Sequence, residues 1–262
     1  METFVLEKEN GRQTACVKEI PVSPRGIVIA IHGFTSSKES PTVQLLLQRL
    51  PAAGLGVIGI DLPAHGNSVS REEELRIEAC MDSLQAAEEY ASAHCGGKEI
   101  FYFASSFGAY ITSLYISQRP HKGRSAFFRS AAVNMPDLFA IDRDHLSDAE
   151  RKMLKELDEK GYIQPSLDLG SPVKVTAAML QDLAENNLFE KFDPDRYGRH
   201  RIAMAHGEED NVIDPKAARR FAQEFHIPIT FYKGEGHSLS ILPGTAEAVV
   251  RQASQWFLQQ DE

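Results

Sequence analysis

Cysteine is scarce in this 262-residue chain, and its scarcity excludes two classes at once. Cys16, Cys80 and Cys95 are an odd number without ligand-like spacing, so neither a disulfide scaffold nor a structural zinc site is expected. Reduced thiols suit a cytoplasmic protein, and the chain reads as one. Long hydrophobic runs are missing too. Nothing approaches the roughly 20 apolar residues of a membrane span, and the stretch from Met1 carries acids early without an apolar core. Positive charge is in deficit: 28 Lys and Arg against 37 Asp and Glu leave a formal net charge of −9. That balance argues against nucleic acid or an anionic membrane as partner. There is no Gly-rich dinucleotide fingerprint, internal repeat or low-complexity segment, and the scattered histidines suggest no metal or other cofactor.

What remains is a composition of 42% hydrophobic and 25% charged residues, ordinary for a globular protein. The length suits one large α/β domain, or a domain carrying a sizeable insertion. The chain is organised around one stretch. Ile100 to Phe103 is an apolar run without polar alternation, as a buried parallel strand reads. Ile111, Leu114 and Tyr115 then recur at helical spacing. Between them lies a small-x-Ser-x-Gly sequence, which holds a serine on a sharp strand-to-helix turn with its hydroxyl lifted clear. The backbone crowds there, so the residues two before and two after the serine must be small. Ala104 and Gly108 flank Ser106 at those positions, whereas Phe103 and Phe107 would flank Ser105. Ser106 is the candidate nucleophile.

In chain order, strands are expected at Thr3 to Leu6 and Thr14 to Val17, joined by a tight turn at Asn10-Gly11. Gly26 to Ile31 and Val57 to Ile60 read as buried strands, with a helix over about residues 41 to 52 between them. Ser70 and Glu73 form a capping-box pair for a long helix carrying Ile77, Met81 and Leu84. Phe127 to Val133 reads as another strand. The alternation then breaks: residues 136–196 look mainly helical, with one helix between a Ser147–Glu150 cap and Gly161, and another from near Thr176 to Asn187. Alternation resumes at Ile202 to Ala205. Asp214-Pro215 then supplies an N-cap and first-turn proline. Ile227 to Tyr232 is the last strand, and the closing helix carries Val249, Val250, Ala253, Trp256 and Phe257. The expected fold is α/β, three layers around a mostly parallel sheet, with core segments 1–135 and 197–262 and an inserted helical cap at 136–196. Site residues would gather at the C-terminal strand edge.

His32-Gly33-Phe34, Asp61-x-Pro-x-His-Gly-x-Ser68, the serine turn, His206-Gly207-x-x-Asp210 and Gly236-His237 together resemble an α/β-hydrolase with a helical cap. The order Ser, Asp, His is the one that fold uses. A looser likeness runs to bacterial cinnamoyl- and feruloyl-type esterases. His237, in a Gly-flanked loop after the last strand, is expected to be the general base for Ser106. Glu208, Glu209, Asp210 and Asp214 all follow one strand. Asp214 suits a helix N-cap, and the family pattern His-Gly-x-x-Asp puts the acid at Asp210. By the same resemblance the amides of Phe34 and Phe107 form the oxyanion hole, and their rings wall the pocket. Met153, Leu157, Met179 and Leu183 are candidates to roof it. His32, His65 and His206 read as hydrogen-bonding structural residues.

The expected activity is hydrolysis of a small-molecule carboxylic ester, with a small, medium or aromatic acyl group, through an acyl-enzyme on Ser106. A thioesterase or acylglycerol lipase would use the same triad. An aminopeptidase would also need acidic groups to hold a substrate amine, for which the cap offers Glu156 and Glu185. A ligand sensor on a hydrolase scaffold is the reading from a different class.

Overall fold

Apolar runs that must hide on both faces build this fold. The computed structural model describes residues 1–8, 11–140, 146–164, 173–197 and 201–259. Strands β1 (Glu2–Glu7) and β2 (Gln13–Glu19) pair antiparallel, and the turn passes through Gly11 at φ 76°. Asn10 lies outside the described residues. Next come β3 (Gly26–Ile31), α1 (Pro41–Arg49), β4 (Leu55–Ile60), α2 (Ile77–His94), β5 (Glu99–Ser105), α3 (Phe107–Gln118) and β6 (Gly123–Arg129). After a 3-10 turn at Met135–Phe139 follow α4 (Asp148–Lys160), the two-residue pair β7 (Tyr162–Ile163) and β8 (Val175–Thr176), α5 (Ala177–Glu185), α6 (Leu188–Lys191) and α7 (Pro194–Tyr197). The chain closes with β9 (Ile202–Gly207), α8 (Pro215–Glu224), β10 (Ile229–Tyr232) and α9 (Thr245–Leu258).

The main sheet has eight strands in the order β1-β2-β4-β3-β5-β6-β9-β10, parallel from β4 to β10. Alternation along β5 divides the core. Phe101 and Phe103 pack with Leu46 and Leu47 of α1 and Val249, Val250 and Phe257 of α9. Tyr102 and Ala104 face the other way, toward Met81 and Leu84 of α2, Leu114 of α3 and Phe221 of α8. Every residue of β3 and β4 is buried, as strands covered on both faces must be. The molecule is therefore three layers around a mostly parallel sheet. Parallel strands with right-handed crossovers put the loops after β3, β4, β5, β6, β9 and β10 at one edge. Among the described residues no helix is long and apolar enough to cross a membrane.

Several local expectations stand in the structure, and two are corrected. Ser147 and Glu150 form the capping box of α4, and Gly161 ends it at φ 76°. Thr176 caps α5, and Asp214 with Pro215 opens α8. The long helix, by contrast, is not opened by Ser70 and Glu73. A 3-10 turn occupies Glu72–Glu74, and α2 starts only at Ile77. The Ile77 N–H donates to Asp182 Oδ2 at 3.1 Å, and Arg76 grips the same carboxylate at 2.6 and 2.5 Å. The cap comes from α5, far along the chain, where no local signal reveals it. The strand expected at Phe127 to Val133 runs instead over Gly123–Arg129, because Ser130 turns the chain at φ 48°.

Candidate active site

The turn between β5 and α3 explains the small residues around Ser106. Ser106 sits at φ 51°, ψ −115°, a conformation that costs an L-residue about 1–3 kcal/mol. Its N–H donates to Arg129 O at 2.9 Å, and its carbonyl accepts from Ala109, Tyr110 and Ala132 at 3.0 to 3.2 Å. These bonds hold the strained geometry from both sides. A Cβ at Gly108 would lie 2.4 Å from the His32 carbonyl oxygen, and Ala104 is fully buried beside Ile31 and Phe128. The small-residue rule is thus the backbone of β3 pressing against the turn.

Ser106 Oγ lies 3.0 Å from His237 Nε2, and His237 Nδ1 lies 2.8 Å from Asp210 Oδ2. The serine hydroxyl donates to the imidazole, which donates on to the carboxylate. Asp210 is 6% exposed. Its Oδ1 accepts from the Val212 and Ile213 N–H groups, both at 2.9 Å. His206 Nε2 lies 3.2 Å from Asp210 Oδ2 and 3.2 Å from Ile213 O. Burial works to raise the Asp210 carboxyl, but bonds from His206 and His237, the His237 charge and the Ile213 amide outweigh it. The group is held well below the ordinary carboxylate range. Of the neighbouring acids, Glu208 and Glu209 are exposed, and Asp214 accepts from the Lys216 N–H at 2.9 Å as the cap of α8.

The loop bearing His237 is tied down by the end of β6, a role the sequence did not suggest. Ser130 Oγ donates to the His237 carbonyl at 2.8 Å, and the Arg129 guanidinium donates to the next carbonyl, Ser238 O. Glu235 folds back to accept from Ile241 and Leu242 N–H at 3.0 and 2.8 Å.

On the other side of Ser106, a Cβ at Gly33 would lie 3.2 Å from the serine Cβ and 3.8 Å from its Oγ, which puts the Gly33–Phe34 backbone against the hydroxyl. Among the described residues the Phe34 and Phe107 N–H groups take no partner. His32 spans the ends of β3 and β4, its Nδ1 donating to Gly33 O at 2.7 Å and its Nε2 accepting from Leu62 N–H at 3.1 Å. Burial holds His32 neutral. The ring of His65 packs against Phe34 and Phe107, and burial pushes its pKa down to about 3. Its Nδ1 bonds Pro63 O at 2.8 Å, while its Nε2 has no partner among the described residues. Behind the Phe34 loop, Asp61 accepts from Lys38 N–H at 2.7 Å, Lys38 Nζ at 2.8 Å and Asn67 N–H at 2.8 Å.

Ser106 and His237 open into a cavity of about 970 Å³. Phe34, Met135, Leu138, Phe139, Met153 and Ile213 line it on the α4 side. Of the four expected roof residues only Met153 lines it: Met179 and Leu183 are buried in the core and Leu157 packs against that core. Phe107 is fully buried and meets Phe34 edge-on, so its ring backs the wall rather than forming it. Among the described residues Arg129 is the only Arg, Lys, Asp or Glu in the lining. Glu156 and Glu185 are not part of it; they pair with Lys160 and Gln181 at 3.4 and 2.8 Å.

The family described as serine aminopeptidase, S33, matches residues 22–191, which include the Phe34 loop, the Asp61–Ser68 loop and the Ser106 turn. The chain belongs to this family. The match ends before β9, so Asp210 and His237 stand outside it. No curated protein matches the chain. Among solved structures, Est1E of Butyrivibrio proteoclasticus with bound ferulic acid superposes with a TM-score of 0.79 at 16% identity, over 98% of each chain. A monoacylglycerol lipase of Paleococcus ferrophilus gives 0.71 at 19% identity over 100% of both chains. Mouse alpha/beta hydrolase domain-containing protein 10 gives 0.74 at 12% identity, again over 100% of both. The fold is that of the α/β-hydrolases.

Proposed function

We propose that the chain is a serine hydrolase that cleaves carboxylic esters through an acyl-enzyme on Ser106. The observation that carries this reading is the hydrogen-bonded line from Ser106 through His237 to Asp210, with Ser106 and His237 in the lining of a cavity whose exposed surface is mostly apolar. As Ser106 Oγ bonds to the ester carbon, its proton passes to His237 Nε2. The oxyanion would be met by the Phe34 and Phe107 N–H groups, which take no partner among the described residues. Collapse breaks the carbon–oxygen bond to the alcohol, which leaves with the proton from Nε2. Water then gives a proton to Nε2 and attacks the acyl carbon; the acid departs and Ser106 regains its proton. Asp210 holds His237 in the tautomer with its proton on Nδ1 and stabilises the imidazolium. Residues 136–196 act as the cap, with Met153 and the Met135–Phe139 turn shaping the acyl side.

The family's description raises aminopeptidase as a second reading. Holding a substrate ammonium calls for a carboxylate in the cavity, and the described lining offers none while presenting Arg129. That contrast favours an ester over an aminoacyl substrate. The test is a panel of p-nitrophenyl esters from acetate to long acyl chains, a ferulate ester, an acyl thioester and aminoacyl p-nitroanilides, with Ser106→Ala as control. Ester turnover that vanishes in the variant is expected, and the preferred acyl group then separates esterase, lipase and thioesterase. No ester turnover, or turnover that survives in Ser106→Ala, overturns the proposal and brings a ligand sensor forward.

A further inference from the structure

The cavity does not end at the apolar side. It continues past His237 toward the opposite face of the sheet, where Gln48 of α1, Val249 of α9, Ser240 and Ser105 line it. Strand geometry says which residues of β5 and β6 point there. Phe103 and Phe127 belong to the core on the α1–α9 side, and side chains two residues apart share a face, so Ser105 and Arg129 point the same way. The two are register partners in neighbouring strands, which sets hydroxyl and guanidinium side by side.

Arg129 is under-used for a sheltered cation. Among the described residues its guanidinium donates to the Ser238 carbonyl and makes no ion pair. The two carboxylates whose fields reach it are committed elsewhere. Asp210 serves Val212, Ile213 and His237, and Glu235 serves Ile241 and Leu242. Burial lowers the guanidinium only to about 10, so it carries its charge at neutral pH. A guanidinium with donors to spare, in a cavity whose described lining holds no acid and beside carboxylates already engaged by other groups, asks for an anion from outside.

We propose that the α1–α9 side of the cavity is a subsite for a carboxylate carried by the substrate, with Arg129 and the Ser105 hydroxyl as its recognition elements. The substrate class is then a monoester of a dicarboxylic acid, or an ester with a carboxylate on its alcohol part. A single cation with a planar fork matches a singly charged carboxylate better than a doubly charged phosphate. The inference rests on the hydrolase reading for its substrate, but the anion site is testable without turnover.

The kinetic arm compares mono-p-nitrophenyl glutarate with p-nitrophenyl pentanoate, equal in chain length but differing in the terminal charge. The ratio of their kcat/KM values cancels any general loss from loosening the His237 loop, which Arg129 also holds. The charged ester is expected to lead by about ten- to hundredfold. The lead should be lost in Arg129→Gln, partly kept in Arg129→Lys, and reduced in Gln48→Glu, which leaves Arg129 in place. A ratio that Arg129→Gln and Gln48→Glu both leave unchanged overturns the subsite. The binding arm titrates glutarate against uncharged glutaramide by calorimetry. Tighter glutarate binding that Arg129→Gln removes supports the site even if no ester is hydrolysed, and equal binding of the two refutes it.

Discussion

Replacing Asp210 by asparagine tests the central geometry, because the structure says which way the new amide must point. Oδ1 accepts from two backbone N–H groups, Val212 and Ile213, at 2.9 Å each, and an NH₂ there would face two donors. The amide oxygen therefore keeps that place, and the NH₂ takes the place of Oδ2, 2.8 Å from His237 Nδ1. It donates to Nδ1, which moves the imidazole proton to Nε2. Nε2–H then confronts Ser106 Oγ across 3.0 Å as a donor and cannot take the serine proton. His206 Nε2, 3.2 Å away, meets the same reversal, and its other nitrogen has no partner among the described residues.

The change of tautomer is expected to lower kcat about 10⁴-fold while leaving the fold intact. At 1.36 kcal/mol per factor of ten, that is about 5 kcal/mol of barrier. Folding stability should fall by only about 1.5–3 kcal/mol, the usual worth of hydrogen bonds to a charged group. The assay is kcat on p-nitrophenyl acetate alongside urea unfolding. Asp214→Asn serves as control, since asparagine caps a helix as well as aspartate does and should leave kcat unchanged. An Asp210→Asn enzyme within tenfold of the parent refutes the assignment, as does a collapse of activity in Asp214→Asn.

Three further outcomes follow from the same contacts. Ser130→Ala removes the 2.8 Å bond to the His237 carbonyl and should lower kcat about tenfold with KM nearly unchanged; an equal rise in KM would instead point to a substrate contact. Gly108→Ala drives a Cβ to 2.4 Å from the His32 carbonyl, so activity should be lost together with the serine turn, and a fully active variant in steady-state assays would refute the crowding argument. His65 and His32 are buried neutral, His65 with a pKa pushed down to about 3, whereas unfolded histidines titrate near 6.5. Between those values the unfolded chain binds the extra proton at His65, so unfolding free energy should fall on acidification by up to about 1.4 kcal/mol per pH unit from His65, with His32 acting in the same direction. Urea midpoints across that window should show a shallower slope in His65→Phe, and an unchanged slope would remove His65 from the account.

What was legible in the sequence is what backbone sterics and short-range caps dictate. Ser106 stood out from Ser105 because Gly108 lies against β3, a constraint that leaves a small residue at a fixed offset. Ser147 with Glu150, Gly161, and Asp214 with Pro215 are likewise local devices and fell where the spacing put them. The start of α2 was hidden because its cap, Asp182, arrives from α5. Met179 and Leu183 carry the same apolar spacing as a pocket roof, yet they serve the core, since periodicity marks a buried face without saying what buries it. Arg129 and Ser130 were the hardest to see. They looked like the middle of a strand, and the groups they hold are carbonyls of His237 and Ser238, which have no side-chain signature. One arginine among 28 basic residues means little on the line of sequence. It gains meaning only when the parallel sheet carries it to the edge where the serine and histidine meet, in a cavity whose described lining holds no acid. The proposed preference for a charged substrate therefore rests on topology, while the candidate nucleophile rests on local sterics. That division explains why the serine turn stands out in the motifs and the proposed subsite does not.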